Sequence, residues 1–166
     1  MSDGVPMDLV GVRIELPSNQ PIVLLREKEG RRFLPIWIGA IEATAIAYAL
    51  EGVEHQRPLT HDLFRDSVQA MGSTVERVVV TELRDNIFFA DLVFSTGDSE
   101  VHVSARPSDA IALAARTDAP LFAASQVLDD AGIEIEDETK EEEIERFREF
   151  LDDVSPTDFG APPPAS

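Results

Sequence analysis

Residues 101–116 read VHVSARPSDAIALAAR and constrain the fold more than any other stretch. Val101, Val103 and Ala105 alternate with His102 and Ser104, which is the period of a strand. The pattern breaks at Arg106 and Pro107. Ala110, Ile111, Leu113, Ala114 and Ala115 then follow as a small-residue helix that can pack closely. Pro107 suits the first helical position, where its missing N–H costs nothing. Asp109 falls in the first turn, against the positive end of the helix dipole. A strand therefore delivers Arg106, Ser108 and Asp109 directly to a helix start. A junction of this kind is suited to holding an anion or a metal. Its simpler reading is a capped helix with Arg106 and Asp109 paired across the turn.

The rest of the chain supplies a sheet and four more helices. Residues 7–16, MDLVGVRIEL, are expected as a strand with Val10, Val12, Ile14 and Leu16 on the core face. Pro17, Ser18 and Asn19 form a turn. Residues 21–28 and 32–38 continue an antiparallel meander, in which Pro35 marks an edge or a bulge. A helix is expected over 40–51, capped by Gly39, with Glu42 at the third position, where a carboxylate reaches back to orphan N–H groups. After a loop over 52–59, Thr60 is the expected N-cap of a second helix that Gly72 ends. His61 and Asp62 lie in its first turn, and Phe64, Val68 and Met71 form its buried stripe. Strands over 74–84 and 87–95 join at the hairpin candidate Asp85–Asn86. Both faces of 87–95 are mostly apolar, so this strand is expected to be central, with Asp91 interrupting one face. Beyond Arg116 come a short strand (120–123), a short helix (125–131) and an acidic amphipathic helix (139–153). The last residues, SPTDFGAPPPAS, are expected to be disordered.

These elements predict an α+β fold: a mixed, mainly antiparallel sheet packed with helices in a single compact domain. The expected division is 1–132 for that domain, 133–153 for the acidic helix and 154–166 for the tail. There is no cysteine, which excludes disulfides, a thiol nucleophile and a cysteine zinc site. No apolar run reaches the length of a membrane helix, and the N-terminus lacks the features of a signal peptide. A cytoplasmic protein with no membrane contact is therefore expected. The net charge is −18; residues 129–166, with 14 acids and 3 bases, carry −11 of it. No segment has the basic footprint of a nucleic-acid binder, and a field of this sign repels phosphate. A phosphate-binding glycine loop, a dinucleotide fingerprint and a GxSxG elbow are all missing. What remains is polar groups at three helix starts: Glu42, His61 with Asp62, and Ser108 with Asp109. If these starts converge, they form one pocket with Arg57 or Arg106 at its edge.

Three strings, FLPIWIGAIEATAIA, RPLTHDLF and SARPSDAIALA, resemble in order and approximate spacing the bifunctional nuclease family, over roughly residues 5–130. The resemblance implies an α+β domain that is often a homo-oligomer, acting on DNA and RNA. Some family members carry a C-terminal coiled-coil module; helix 139–153 takes that place here without a clear match. Carried over by matched motif, the candidate catalytic residues are His61, Asp62, Arg106 and Asp109, with Arg57 and Ser108 as substrate contacts. In the scheme this implies, Glu42, Asp62 and Asp109 hold a divalent metal, Mg²⁺ or Mn²⁺, through oxygen ligands. The metal activates water, His61 transfers a proton and Arg106 clamps a phosphate oxygen. The competing expectation is a non-enzymatic, homo-oligomeric ligand-binding or regulatory protein, favoured by the acidic charge and the missing basic patch.

Overall fold

The structure is a computed structural model that describes residues 4–134, so the expected helix 139–153 and tail 154–166 lie outside it. The first three strands are β1 (Val5–Glu15), β2 (Gln20–Glu27) and β3 (Arg32–Trp37). They form the expected antiparallel meander. Its facing differs from the simple alternation. Leu9 pairs with Leu25, but the next pair is Gly11 with Leu24, so Val10 is an extra residue in β1. A one-residue bulge reverses the side-chain phase. Met7 and Leu9 before it and Val12 and Ile14 after it therefore share the main core, while Val10 packs with Leu24 and Phe33 in a separate cluster. Leu16, expected in the core, is 71% exposed. Pro35 sits opposite Leu24, beyond the short stretch of β3 that finds a partner on its outer side, as an edge position requires.

Helices α1 (Ala40–Glu51) and α2 (Thr60–Ala70) come next, followed by β4 (Ser73–Arg84), β5 (Ile87–Thr96) and β6 (Ser99–Ala105). The β4–β5 turn is Asp85–Asn86, with φ of 53° and 64°, the double positive φ that a two-residue hairpin demands. Then come α3 (Pro107–Thr117), β7 (Leu121–Ala123), α4 (Ser125–Ala131) and β8 (Ile133–Glu134). Residues 133–134, expected to begin the acidic helix, instead pair with Phe33 and Arg32. The eight strands form one sheet in the order β6-β5-β4-β7-β1-β2-β3-β8. Short β7 is the seam between two antiparallel meanders: it runs antiparallel to β1 and parallel to β4.

This topology places α3. The chain leaves β6 at one edge of the sheet and must pass β5 and β4 to reach β7, so α3 lies over those two strands. It is buried from Pro107 to Ala114 apart from Asp109, with Ala110, Ile111, Ala112 and Leu113 at or near zero exposure. Its alanines let α1 and α2 pack against it from either side. Strand β5, expected to be central, is second from the sheet's edge: Leu92 is buried toward α3 and Val93 on the other face, where Phe89 and Asp91 are half-buried and Ile87 is exposed. Asp91, on the far face, pairs with His102 Nδ1 at 2.7 Å. In α2 only Val68 is fully buried, and Met71, expected in the stripe, is exposed.

Two substitutions test this packing. Ile111→Ala removes a fully buried side chain and is expected to cost roughly 2–5 kcal/mol in chemical denaturation. Leu16→Ala is expected to stay within about 0.5 kcal/mol of the parent, since little is buried there. A large loss at Leu16 would contradict its exposure just beyond the end of β1.

Candidate functional site

The three polar helix starts converge. Arg106, in extended conformation, is the N-cap of α3, and Pro107 takes the first helical position. Leu59, not Thr60, is the N-cap of α2: its carbonyl accepts from Leu63 N at 2.8 Å, and its N–H donates to Asp62 Oδ2 at 3.1 Å. Asp62 therefore makes the reach-back bond of a third-position acid, and His61 turns toward α3. Glu42, third in α1, folds back over Gly39 so closely that a Cβ there would meet its Oε2.

Two cross-helix pairs join α2 to α3. His61 Nε2 lies 3.0 Å from Asp109 Oδ1, and Arg116 Nε donates to Asp62 Oδ1 at 2.7 Å. Arg116 follows Asp109 by seven residues, two turns along one helix face, so adjacent residues of α2 meet both. Arg106 then joins α3 to α1. Its Nε donates to Asp109 Oδ2 at 2.8 Å, and an Nη donates to Glu42 Oε1 at 2.8 Å. Hydrogen bonds to these two carboxylates raise the Arg106 pKa further. Burial opposes ionisation of Asp62, but the hydrogen bonds from Arg116 and Leu59 N, with the charges of Arg116 and Arg65, outweigh it and hold its carboxyl below the usual range.

The two arginines differ in exposure. The Arg116 side chain is 5% exposed and that of Arg106 is 63% exposed. Glu42, His61, Arg106, Asp109 and Arg116 lie on the wall of a cavity of about 880 Å³ whose other walls include Ile41, Ala45, Tyr48 and Phe64. Arg106 also borders a smaller cleft of about 350 Å³, and buried Ser108 faces that cleft rather than the large cavity. Arg57 stands exposed in the loop before α2 and lines neither space.

The carboxylates expected to share a divalent ion do not fit one as they stand. Both oxygens of Asp62 are taken by Arg116 and Leu59 N. Both oxygens of Asp109 are taken by His61 and Arg106. Among the described residues no group of three or more His, Asp or Glu is placed to hold a metal. The cation between Glu42 and Asp109 is the Arg106 guanidinium itself. His55 packs edge-on to Tyr48, with ring centroids 4.8 Å apart.

Sequence reasoning missed Arg116, Tyr48 and Phe64. The seven-residue spacing from Asp109 carried a signal for Arg116. The aromatic positions carried none, because a core helix shows the same pattern.

The family model for the bifunctional nuclease domain matches residues 23–136. The chain belongs to the bifunctional nuclease family. An uncharacterized protein of Mycobacterium tuberculosis, strain H37Rv, is 50% identical over 161 residues, which is 92% of this chain and 96% of the relative. Bifunctional nuclease 2 of Arabidopsis thaliana is 35% identical over 112 residues, 64% of this chain and 34% of the relative. Bifunctional nuclease 1 of the same plant is 31% identical over 105 residues, 61% of this chain and 32% of the relative. The chain thus matches about a third of each plant protein's length. No helix among the described residues is long and apolar enough to cross a membrane.

The Asp62–Arg116 pair has a stability signature. The carboxyl is depressed in the folded state, so its contribution is present above the ordinary carboxylate range and is lost as pH falls through the depressed value. Asp62→Asn leaves Arg116 buried without its counter-charge and is expected to cost roughly 3 kcal/mol at neutral pH. The difference from the parent should shrink as unfolding is measured at progressively more acid pH. A pH-independent difference would assign Asp62 another role.

Proposed function

We propose that this family member hydrolyses phosphodiester bonds of DNA and RNA at the His61–Asp109–Arg106 cluster. The observation that carries the reading is His61 Nε2 held 3.0 Å from Asp109 Oδ1 on the wall of a cavity that also presents Arg106. An ionised carboxylate only accepts, so it places the imidazole proton on Nε2 and leaves Nδ1 as the basic nitrogen. Asp109 then acts as an orienting group, and Arg106 fixes Asp109 in turn.

DNA has no 2′-hydroxyl, so action on both nucleic acids excludes that group as the nucleophile, and water takes the role in this reading. In the proposed step His61 Nδ1 takes a proton from that water. The water oxygen bonds to phosphorus, and the bond from phosphorus to the leaving oxygen breaks. The leaving oxygen takes a proton from solvent. A guanidinium has five N–H donors. The contacts of Arg106 with Asp109 and Glu42 use at most three, which leaves at least two for phosphate oxygens. In this arrangement Mg²⁺ or Mn²⁺ would enter only by displacing Arg106 from Glu42 and Asp109.

Cleavage of labelled single-stranded RNA and DNA, with Mg²⁺, with Mn²⁺ and with chelator, tests the reading. His61→Ala and Asp109→Asn are each expected to lower turnover by roughly 10²–10⁴-fold, with activity persisting in chelator. Equal activity in parent and variants would identify a contaminant and sink the assignment. Loss of activity in chelator would move the chemistry to a metal-bound rearrangement of the same carboxylates. No cleavage by folded parent protein would favour the binding-module alternative.

A further inference from the structure

Arg106 borders two separate cavities, and each has an aromatic wall. On one side the space of about 880 Å³ has Tyr48 and Phe64 among its walls. On the other the cleft of about 350 Å³ is lined by Trp37 and Phe88. We propose that these two spaces are the nucleoside subsites flanking the scissile phosphate, so that the recognised unit is one dinucleotide step of a single strand. This rests on the nuclease reading of the same site and adds to it the substrate class.

Three observations converge. The first is size: both volumes fall within the range that holds small organic ligands, and the ridge between them carries the exposed guanidinium with its remaining donors. The second is surface. Aromatic rings give the stacking platforms by which proteins hold unpaired bases without reading their sequence. Two of these rings are fixed from behind: His55 packs edge-on to Tyr48, and Trp37 Nε1 donates to Glu15 Oε2 at 2.9 Å. Trp37 nevertheless remains 51% exposed.

The third is charge. A protein that binds a long nucleic acid through its backbone neutralises several phosphates at once and shows a steep salt dependence. Among the described residues, the cations on the walls of the two spaces are Arg106 and Arg116, and Arg116 is buried against Asp62. With a net charge of −18 over the chain, one phosphate contact supported by two stacked bases fits the site better than a tract of phosphates does. Bases paired in a duplex do not offer their faces to such walls without being flipped out.

Trp37 is the chain's one tryptophan, so its fluorescence reports the smaller space directly. The test titrates full-length protein with thymidylyl-thymidine dinucleotide, thymidine monophosphate, a single-stranded thymidine 20-mer and a duplex 20-mer, over a range of salt. The dinucleotide is expected to quench Trp37 saturably with an affinity within about tenfold of the 20-mer. The mononucleotide should bind at least tenfold more weakly, and the duplex should leave the signal unchanged. The log–log salt slope for the single strands should be near −0.7, the value for one phosphate contact. Tyr48→Ala should weaken the dinucleotide at least tenfold in the same assay, with an unchanged thermal unfolding midpoint as its folding control. An affinity that keeps rising with strand length, a slope several times steeper, or equal quenching by duplex would overturn the two-subsite proposal. Cleavage together with any of those results would leave the nuclease standing and the subsites refuted. Quenching by the dinucleotide without cleavage would support the subsites and refute the nuclease.

Discussion

Burial of α3 is the constraint on which everything else rests. A helix of large side chains would hold its neighbours at a distance. One built around Ala110, Ala112 and Ala114 lets α1 and α2 approach on either side while Ile111 and Leu113 fill the core. The path from edge strand β6 to the seam strand β7 fixes its position over β5 and β4. The N-terminus of α3 therefore emerges beside the first turns of α1 and α2. Glu42, His61 and Asp109 come from sequence positions far apart, and their meeting follows from that packing and not from any local motif.

The charges at this meeting point are divided by exposure. Arg116 is almost fully buried, binds both Asp62 and the Ala112 carbonyl, and has little freedom to serve a ligand. Its loss would strand the largely covered Asp62 carboxylate, so its role is to hold α2 against α3. Arg106 makes similar contacts at the surface, where its head group meets water and the cavity together. The same residue type thus does structural work at one end of α3 and faces the cavity and solvent at the other. Among the described residues, the cation that faces the cavity is already engaged by carboxylates on the site's own wall. An anion arriving here competes with Glu42 and Asp109 for a guanidinium partly neutralised before it arrives.

Much of this was legible in the sequence. The strand-to-helix junction at Arg106–Pro107, the Asp85–Asn86 hairpin and the interior place of β5 all follow from local chemistry, and local chemistry survives in the fold. The three polar helix starts were legible as a set because each places an acid in the first turn of its helix. Their partners were not. A capping rule puts Asp62 and Asp109 alike in a first turn, and only tertiary packing decides that one meets Arg116 and the other His61. The bulge at Val10 was hidden for a related reason: MDLVGVRIEL alternates acceptably in either phase, and the register against β2 selects one. Met71 and Leu16 were assigned to the core by periodicity, which runs on past the point where an element leaves its packing partner. Residues 133–134 joined β3 because that edge offers unpaired backbone groups, which no composition reveals.

The engagement of Arg106 bears on how such a site could favour reaction over binding. A free guanidinium attracts a phosphodiester in its ground state nearly as well as in its transition state, and uniform attraction does not speed the chemistry. A guanidinium held by two carboxylates offers a ground-state phosphodiester, with its single negative charge, a smaller net attraction. In the proposed step, as water attacks and charge builds on the phosphoryl oxygens, the remaining donors of Arg106 would face a growing acceptor without having to move. The proton that His61 gains in that proposed step would add positive charge on the far side of Asp109 and complete an alternating row of cation, carboxylate and cation. The acidic surroundings, which weigh against retaining a long polyanion, are compatible with an arrangement whose attraction rises as the reaction proceeds.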